Sequence, residues 1–457
     1  MTDLKEISAD DLVVVLDMGT SQFRAAAGVR CKDEAGEDCV ELLCVNYEKG
    51  QGVKRGAVYN VMSSACVVKK LLQGLENQLN KLCNEGREDE NRLKVKIKKV
   101  CVGLNGRSIM TKENPAHRTL GSSQVMVTKE MMDSLFQEAS SVKVGDEAEI
   151  LKVVPQEFLI DDEDELNPEG CMATRISGRY KIVYGEKNLR NNLVLCLQRA
   201  GYELADSPLA VDAISKSVLS EEEKKSGCAV LDFGAGTTSV AVYGNGILRD
   251  VLVAPYGGNV ITKDIASLKL TESRSEMVKV KFGSTLLQKT EEVNLSLGNN
   301  QLLNTRFLAE VIESRVDEIL FSILKILESN HSFRHINEIV LTGCGSQLQN
   351  LAEKVTLLTG VDVRFGLPNY TNVIMEDKVK QQVELSQIIG LLEIAKADEC
   401  YVVNQDEIEE RPKPKPSKPD VKKVNKEKQG QFSLFGNLKE KASKFADKVF
   451  ADEGGND

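Results

Sequence analysis

The chain has 457 residues, a formal charge of −10, eleven Cys and no Trp. This length allows about three domains, and the acidity excludes a general nucleic-acid binder, which would need a basic face. The scattered Cys form no CxxC pair and favour a reducing compartment. Because the sequence has neither an apolar N-terminal segment nor an apolar run of about 18 residues, we expect a soluble intracellular chain without a signal peptide or a spanning helix.

The first predicted element is a β-hairpin whose turn has the sequence DMGTS. Apolar, β-rich runs at residues 12–16 and 23–29 flank this turn. A second predicted hairpin has the turn DFGAGTT between the runs 229–231 and 239–243, and its first Asp follows that of the first turn by 215 residues. The repetition predicts two related domains that grip one ligand between them.

The composition of these turns predicts a phosphate site. Glycine lets the backbone approach an anion closely, so that N–H groups and hydroxyls can surround phosphate oxygens. Asp17 and Asp232, each at the end of a strand, are predicted to hold Mg²⁺ through its waters. The predicted phosphate-binding residues are Asp17, Gly19, Thr20 and Ser21 in the first turn, and Gly234, Ala235, Gly236, Thr237 and Thr238 in the second.

A third turn supports a nucleotide ligand. A predicted strand at residues 336–342 leads into Gly343, Cys344, Gly345 and Ser346, and a helical run follows at 347–358. A strand, a glycine turn and a helix N-terminus offer backbone groups to an adenosine and its phosphates. Together the three turns predict binding of ATP with Mg²⁺.

The C-terminal part carries charge of the opposite sign. Residues 411–457 hold twelve Lys/Arg against seven Asp/Glu, so that +5 lies here and −15 in the rest. Residues 411–430 contain four prolines and predict an extended linker. An amphipathic helix is predicted over 432–450, and we expect it to lie in a membrane interface; folding back onto the core or binding a partner protein are the alternatives. Its predicted membrane-facing residues are Phe432, Phe435, Leu438, Phe445, Val449 and Phe450.

With these motifs, the sequence resembles the actin, heat-shock-70 and hexokinase superfamily, and within it the FtsA family of bacterial cell-division actin homologues. Beyond the three turns, the resemblance rests on the stretches GVKRGAVYNV (52–61), VCVGLNGRSI (100–109), VVPQEFLIDDEDELNPEGCMATRI (153–176), NLVLCLQRAGYEL (192–204) and NGILRDVLVAPYGGNVITKDIA (245–266). The chain departs from the family pattern at Ala235 and Cys344, where Gly is usual, at Ser239, where Asp is often seen, and at Ser346, where Ala is common.

The resemblance implies an α/β fold: an actin-like two-domain ribonuclease-H-type fold with an inserted small α+β subdomain and a C-terminal amphipathic helix. The implied divisions are domain 1A at 10–91 and 170–207, subdomain 1C at 92–169, domain 2A at 208–258 and 332–395, subdomain 2B at 259–331, a linker at 396–431 and the membrane-targeting helix at 432–450.

Three further residues receive roles from the resemblance. Glu276 and Lys279 fall where the family's helix approaches the adenine and ribose; an exposed i,i+3 ion pair is the alternative. Asp212, on the segment that connects the two domains, is the one candidate for a catalytic carboxylate, and a solvent-facing helical Asp is the alternative. We therefore expect at most a slow Mg²⁺-dependent ATPase.

The resemblance implies a cytoskeletal role in cell division. The chain is expected to polymerise at the cytoplasmic face of the inner membrane at the septum, as a peripheral protein on anionic lipids. It would receive the C-terminal peptide of the tubulin homologue FtsZ in region 259–331 and recruit downstream division proteins through 92–169. A soluble phosphotransferase of the same superfamily and an actin-like pilus assembly protein are the alternatives. A heat-shock-70 chaperone is not expected, because the sequence after residue 395 is too short for a substrate domain.

Overall fold

The computed structural model describes residues 12–32, 35–84, 95–297, 302–369, 372–375, 382–395 and 402–404. All of them lie in the first of two compact units, Met1–Glu410 and Arg411–Asp457. The helix predicted at 432–450, with its six membrane-facing residues, lies outside the described residues. So does the linker predicted at 396–431, apart from 402–404.

The chain alternates between strands and helices. The strands are β1 (Leu12–Met18), β2 (Gln22–Lys32), β3 (Asp38–Lys49), β4 (Val53–Lys54), β5 (Ala57–Val58), β6 (Val95–Ile97), β7 (Lys99–Val102), β8 (Met110–Thr119), β9 (Val125–Met126), β10 (Ala148–Ile160), β11 (Glu163–Asp164), β12 (Met172–Ala173), β13 (Arg175–Glu186), β14 (Glu203–Leu204), β15 (Cys228–Phe233), β16 (Thr238–Gly244), β17 (Ile247–Ala254), β18 (Asn294–Ser296), β19 (Leu302–Asn304), β20 (Glu338–Thr342), β21 (Asp362–Phe365), β22 (Val373–Ile374) and β23 (Val402–Asn404). The helices are α1 (Val61–Cys83), α2 (Lys129–Ser140), α3 (Asn188–Ala200), α4 (Ala210–Val218), α5 (Glu221–Ser226), α6 (Gly258–Ala266), α7 (Glu272–Phe282), α8 (Thr305–Ser329), α9 (Leu351–Thr359) and α10 (Ser386–Ile394).

Two sheets share five strands in the same order, and the first sheet has β22 as an additional strand beside β3. In the first sheet the order is β14-β7-β1-β2-β3-β22, and in the second it is β17-β16-β15-β20-β21. In each, three consecutive strands form an antiparallel meander, and two later strands add in parallel on the side of the meander's first strand. The internal repetition predicted from the two hairpins is therefore present as two halves, one around each sheet.

The central strands are mainly apolar because helices cover both faces of their sheets. All seven residues of β1 are buried. Residues of α1 and α3 pack against one face of the first sheet, and α10 packs against the other. On the second sheet, α8 and α9 contribute to a separate core. Within the described ranges, no helix is long and apolar enough to cross a bilayer.

A separate four-stranded sheet, in the order β11-β10-β13-β8, is inserted into the first half. Helix α2 packs on it through Leu135 and Ala139. The strand pairing differs from the predicted boundaries 92 and 169 at both ends. Strand β7, which the prediction placed in the insertion, pairs with β1, whereas β13, which it placed outside, lies between β10 and β8. Pairing between distant segments decides which strands belong to the inserted sheet, and local sequence does not encode that pairing.

Helices α4 and α10 cross between the two halves. The Oγ of Ser217 on α4 donates to the carbonyl of Ser386 on α10 at 2.6 Å. At the crossing, a Cβ added to Gly390 would lie 1.7 Å from the carbonyl oxygen of Ala213. Glycine is therefore required here for close helix packing, and the crossing joins the halves beneath the cleft described next.

Candidate functional site

A cleft lies between the two halves and opens to solvent. Both predicted hairpin turns line it, one from each half, together with the start of the third turn. The predicted residues in its lining are Asp17, Gly19, Thr20, Ser21, Asp232, Gly234, Ala235, Gly236, Thr237, Gly343 and Cys344.

Six other predicted residues do not line this cleft: Thr238, Gly345, Ser346, Glu276, Lys279 and Asp212. The first three lie directly behind the turns. Thr238 is buried and its hydroxyl donates to the carbonyl of Tyr256 at 2.9 Å. Gly345 packs on Phe233, whose ring carbon Cδ1 would lie 2.4 Å from an added Cβ. These residues support the turns without facing the cleft.

The two hairpin turns approach each other closely across the cleft. A Cβ added to Gly236 would lie 2.3 Å from the Oγ1 of Thr20 in the other half. The second turn is fixed in addition by the start of α6, where the N–H groups of Gly258 and Asn259 donate to the carbonyls of Gly234 and Ala235. A ligand in the cleft would therefore contact both halves at once, and glycine permits the close approach of the two turns.

Two carboxylates, the buried Asp17 and the half-buried Asp232, lie at the ends of strands β1 and β15. Asp17 accepts from Nη1 of Arg24 at 3.0 Å. Burial raises the pKa of Asp17, an effect that the Arg24 charge partly offsets. Burial, and to a lesser extent the charge of Asp17, raises the pKa of Asp232 to about 7. The ionised forms of both carboxylates are thus disfavoured, and a bound cation would stabilise them.

This pair fits a magnesium ion that keeps most of its waters. Among the described residues, no group of three His, Cys, Asp or Glu side chains could hold a metal ion. Mg²⁺ commonly binds through one or two carboxylates, with water and phosphate oxygens as the other ligands. Asp17 and Asp232 would hold such an ion, which would supply positive charge to a bound phosphate.

The third turn differs in detail from the prediction. A short 3₁₀ helix, Cys344–Gln347, follows the strand, and the α-helix begins only at Leu351. Gly343 has φ +84°, and an added Cβ there would lie 2.3 Å from Oδ1 of Asp232. Glycine at this position thus leaves room for the carboxylate of the second turn. The Oγ of Ser346 is buried without a hydrogen-bond partner.

Glu276 and Lys279 form an ion pair behind the second turn. The Nζ of Lys279 lies 2.7 Å from the Glu276 carboxylate and also donates to the carbonyl of Gly258 at 3.0 Å. Lys279 is buried, whereas about half of the Glu276 side chain is exposed. The pair joins α7 to the start of α6. The observed contacts therefore agree with the alternative prediction of an i,i+3 ion pair and not with a position in the cleft.

Asp212 is neither solvent-facing nor in the cleft. It lies in the first turn of α4 and accepts from the Nζ of Lys152 at 2.6 Å, while its side chain is only 14% exposed. Lys152 belongs to β10 of the inserted sheet. The observed contact joins the insertion to the helix between the halves, and it gives no support to the predicted catalytic role.

Five polar residues of the cleft lining were not predicted: Arg24, Asn105, Glu384, Ser386 and Gln387. An arginine within the otherwise apolar run 23–29 is a signal that could have identified Arg24. Asn105 follows the carboxyl end of β7, where α/β proteins commonly bind ligands, and its Nδ2 donates to Ser239 of the second half at 3.4 Å. Glu384 and Gln387 carry no comparable local signal.

Comparison with known proteins assigns the family. A model described as "Cell division protein FtsA" matches residues 229–390, and a model described as "SHS2 domain inserted in FTSA" matches residues 106–184. The chain is 30% identical over 416 residues to cell division protein FtsA of Escherichia coli (strain K12), with 88% of this chain and 93% of that protein covered. It is 27% identical over 372 residues to FtsA of Bacillus subtilis (strain 168), with 80% of each covered.

Among solved structures, the fold is similar to a chain of a PilM–PilN type IV pilus biogenesis complex, with a TM-score of 0.55 and 18% identity. This match covers 84% of this chain and 98% of the other, and at such identity it bears on the fold alone. The predicted α/β architecture, with two related halves and an insertion in the first, is confirmed. The chain belongs to the FtsA family of cell division proteins and has an actin-like fold.

Proposed function

We propose that this chain binds ATP with Mg²⁺ in the cleft between its two halves. The observation that carries the proposal is the meeting of two glycine-rich hairpin turns, one from each half, at 2.3 Å between an added Gly236 Cβ and Thr20 Oγ1. Backbone N–H groups and hydroxyls of both turns would bind phosphate oxygens. Asp17 and Asp232 would hold the hydrated cation.

Turnover of the bound nucleotide is expected to be slow at most. A carboxylate that positions water must reach the terminal phosphate. Asp212 is paired with Lys152 outside the cleft lining. Glu384 is the carboxylate of the cleft lining besides Asp17 and Asp232. The state of the bound nucleotide would then control polymerisation mainly through the relative position of the two halves.

Calorimetric titration of the full chain with ATP in excess Mg²⁺ should give saturable binding of one nucleotide per chain. Binding should be weaker when inorganic tripolyphosphate replaces ATP at the same concentration, because the base and ribose also occupy the cleft. Absence of ATP binding in Mg²⁺ would contradict the proposed function.

In the cell, we propose that the chain polymerises on the cytoplasmic face of the inner membrane and tethers FtsZ filaments at the septum. Membership of the FtsA family supports this role. The proposed docking region for the FtsZ C-terminal peptide, 259–331, exposes apolar side chains suited to a partner: Val280 and Leu302 are 72% and 70% exposed. The inserted subdomain is the proposed site for downstream division proteins.

Membrane attachment is proposed to depend on residues 432–450. Burying each Phe or Leu of the amphipathic face contributes roughly 1.5–3 kcal/mol, and the neighbouring lysines attract anionic headgroups. One such helix binds weakly, whereas many copies on one polymer bind tightly through effective concentration. Polymerisation and attachment would therefore reinforce each other.

Liposome co-sedimentation tests the attachment. With vesicles of mixed anionic and neutral lipid, the full chain should pellet, and a chain ending at Gly430 should stay in the supernatant. The full-length double variant Phe435→Glu, Phe445→Glu should also stay in solution, because it places charge on the apolar face without removing the tail. Each measurement is made with and without ATP. Equal pelleting of all three proteins would exclude the anchor.

A further inference from the structure

A second pocket lies between the inserted sheet and the second half, away from the cleft. Strands β8, β10 and β13 of the insertion contribute one side of it, and β17 together with residues 330–335, which follow α8, contributes the other. No residue of this pocket belongs to the lining of the cleft. A ligand bound here would therefore contact groups that the proposed nucleotide site does not use.

The pocket carries an excess of positive charge, although the whole chain has a charge of −10. Four cationic side chains and two carboxylates line it, a balance of +2: Arg179, Lys181, Arg249, Arg334, Glu113 and Glu157. Two of the cations are paired, because Arg179 contacts Glu157 and the Nζ of Lys181 lies 3.3 Å from Glu113. The excess charge therefore belongs to Arg249 and Arg334.

A β-bulge places Arg249 at the pocket. The pairing of β16 with β17 shifts its register between Val242 and Tyr243, which leaves Arg249 as an extra residue on β17. A bulge of this kind turns a side chain out of the regular alternation of the strand. The Nε of Arg249 donates to the carbonyl of Gly244 at 3.1 Å, and its Nη1 donates to Oε1 of Gln156 on β10 at 3.2 Å. These bonds fix the guanidinium between the second half and the insertion.

Within the described residues, neither Arg249 nor Arg334 has a carboxylate partner. Arg249 is 8% exposed, and its acceptors are uncharged oxygens. Arg334 donates through Nε to Nε2 of His335 at 3.4 Å. Burial lowers the pKa of His335, and the charges of Arg249 and Arg334 lower it further. A buried charge without a counter-charge is costly, so an anion that enters the pocket would be attracted by both arginines.

The free donors of the two arginines suit a phosphate group. In the part of the chain that the structure describes, the Nη2 of Arg249 and both Nη atoms of Arg334 make no hydrogen bond. Guanidinium groups bind phosphate oxygens through parallel N–H···O bonds. The surplus of two charges matches a dianion, whereas a carboxylate would neutralise only half of it.

We propose that this pocket is a binding site for a small phosphate dianion, held by Arg249 and Arg334. The site is separate from the nucleotide cleft, and it would be occupied by the free ion or by the phosphate group of a small phosphomonoester. Phosphate bound here would neutralise the surplus charge at the junction of the insertion and the second half.

The test titrates inorganic phosphate into the full chain, with ¹³C at Cε1 of its three histidines, at constant ionic strength. The NMR signal of His335, assigned through His335→Gln, should move saturably with a half-saturation on the order of 1 mM or below. The signal of His117, which lies outside the pocket, should not move. Sulfate should give the same effect as phosphate, and acetate should give none. Glycerol 2-phosphate distinguishes the two phosphate sources: a shift equal to that of phosphate supports a site for phosphomonoesters, and no shift supports a site for the free ion.

Variants of the two arginines test their roles. Arg334→Gln should weaken phosphate binding by at least about tenfold, and Arg334→Lys should recover part of the loss because it keeps the charge. Arg334 is exposed, so its replacement should leave the fold and ATP binding unchanged. Arg249→Gln should also weaken phosphate binding, with the thermal midpoint measured to check the fold. The matched control is Arg199→Gln, an exposed arginine of α3 outside the pocket, which should bind phosphate normally.

Three results would each overturn the inference. The His335 signal could stay unmoved by phosphate, it could move as much with acetate as with phosphate, or Arg334→Gln could bind phosphate as tightly as the unsubstituted chain. Absence of ATP binding would contradict the proposed function and leave this inference intact, because the pocket and the cleft share no residue.

Discussion

Replacing Gly236 by alanine is expected to weaken binding of ATP with Mg²⁺ by at least about tenfold and to leave the fold intact. The added Cβ would lie 2.3 Å from Oγ1 and 2.9 Å from Cβ of Thr20, so the two hairpin turns must move apart. Overpacking of this kind costs roughly 1–3 kcal/mol, and each 1.4 kcal/mol that falls on the bound state corresponds to about tenfold in affinity. Calorimetric titration with ATP in Mg²⁺ measures the change.

The matched control for this substitution is Gly121→Ala. Gly121 lies outside the cleft, and its added Cβ would meet no atom closer than 3.5 Å. This variant should bind ATP as the unsubstituted chain does. Thermal unfolding of both variants should show midpoints within a few degrees of each other. If Gly236→Ala bound ATP with unchanged affinity, the close approach of the two turns would be irrelevant to the ligand.

Replacing Gly390 by alanine is expected to destabilise the protein by about 3 kcal/mol or more. The added Cβ would lie 1.7 Å from the carbonyl oxygen and 2.4 Å from the carbonyl carbon of Ala213, which are backbone atoms of α4. Backbone cannot rotate away as a side chain can, so α4 and α10 must separate and lose packing on both sheets. The expected loss of stability exceeds the ~1 kcal/mol by which alanine is more favourable than glycine within a helix. Urea denaturation followed by circular dichroism measures the loss.

Gly74→Ala in α1 provides the comparison. Its added Cβ would lie 2.3 Å from Nδ2 of Asn46, the far end of a flexible side chain. Moving this amide breaks its hydrogen bond to the carbonyl of Leu71, at a cost of ~1 kcal/mol, which the helix preference of alanine offsets. We expect a stability within about 1 kcal/mol of the unsubstituted chain. Equal losses for Gly74→Ala and Gly390→Ala would contradict the backbone argument.

Much of the cleft could be predicted from local sequence. The turns DMGTS and DFGAGTT follow apolar β-rich runs, and the structure places both in the lining with their aspartates at strand ends. The roles of Asp212, Glu276 and Lys279 were implied by the resemblance, and the structure places these residues outside the cleft lining. Their partners Lys152 and Gly258 are distant in sequence, and no local pattern indicates which contacts a helical side chain makes.

The sequence by itself determined the two repeated hairpins, the glycine turns that line the cleft and the α/β class, because strand propensity, turn chemistry and hydrophobic period act within a few residues. Only the tertiary structure decided which segments form the inserted sheet, how Arg24 pairs with Asp17 beside Cys344, and that Glu384 and Gln387 reach the cleft. These features depend on strand pairing and helix packing between segments up to hundreds of residues apart. The pairing that forms is the one that buries the apolar faces of whole sheets and helices, and no single stretch of sequence specifies it.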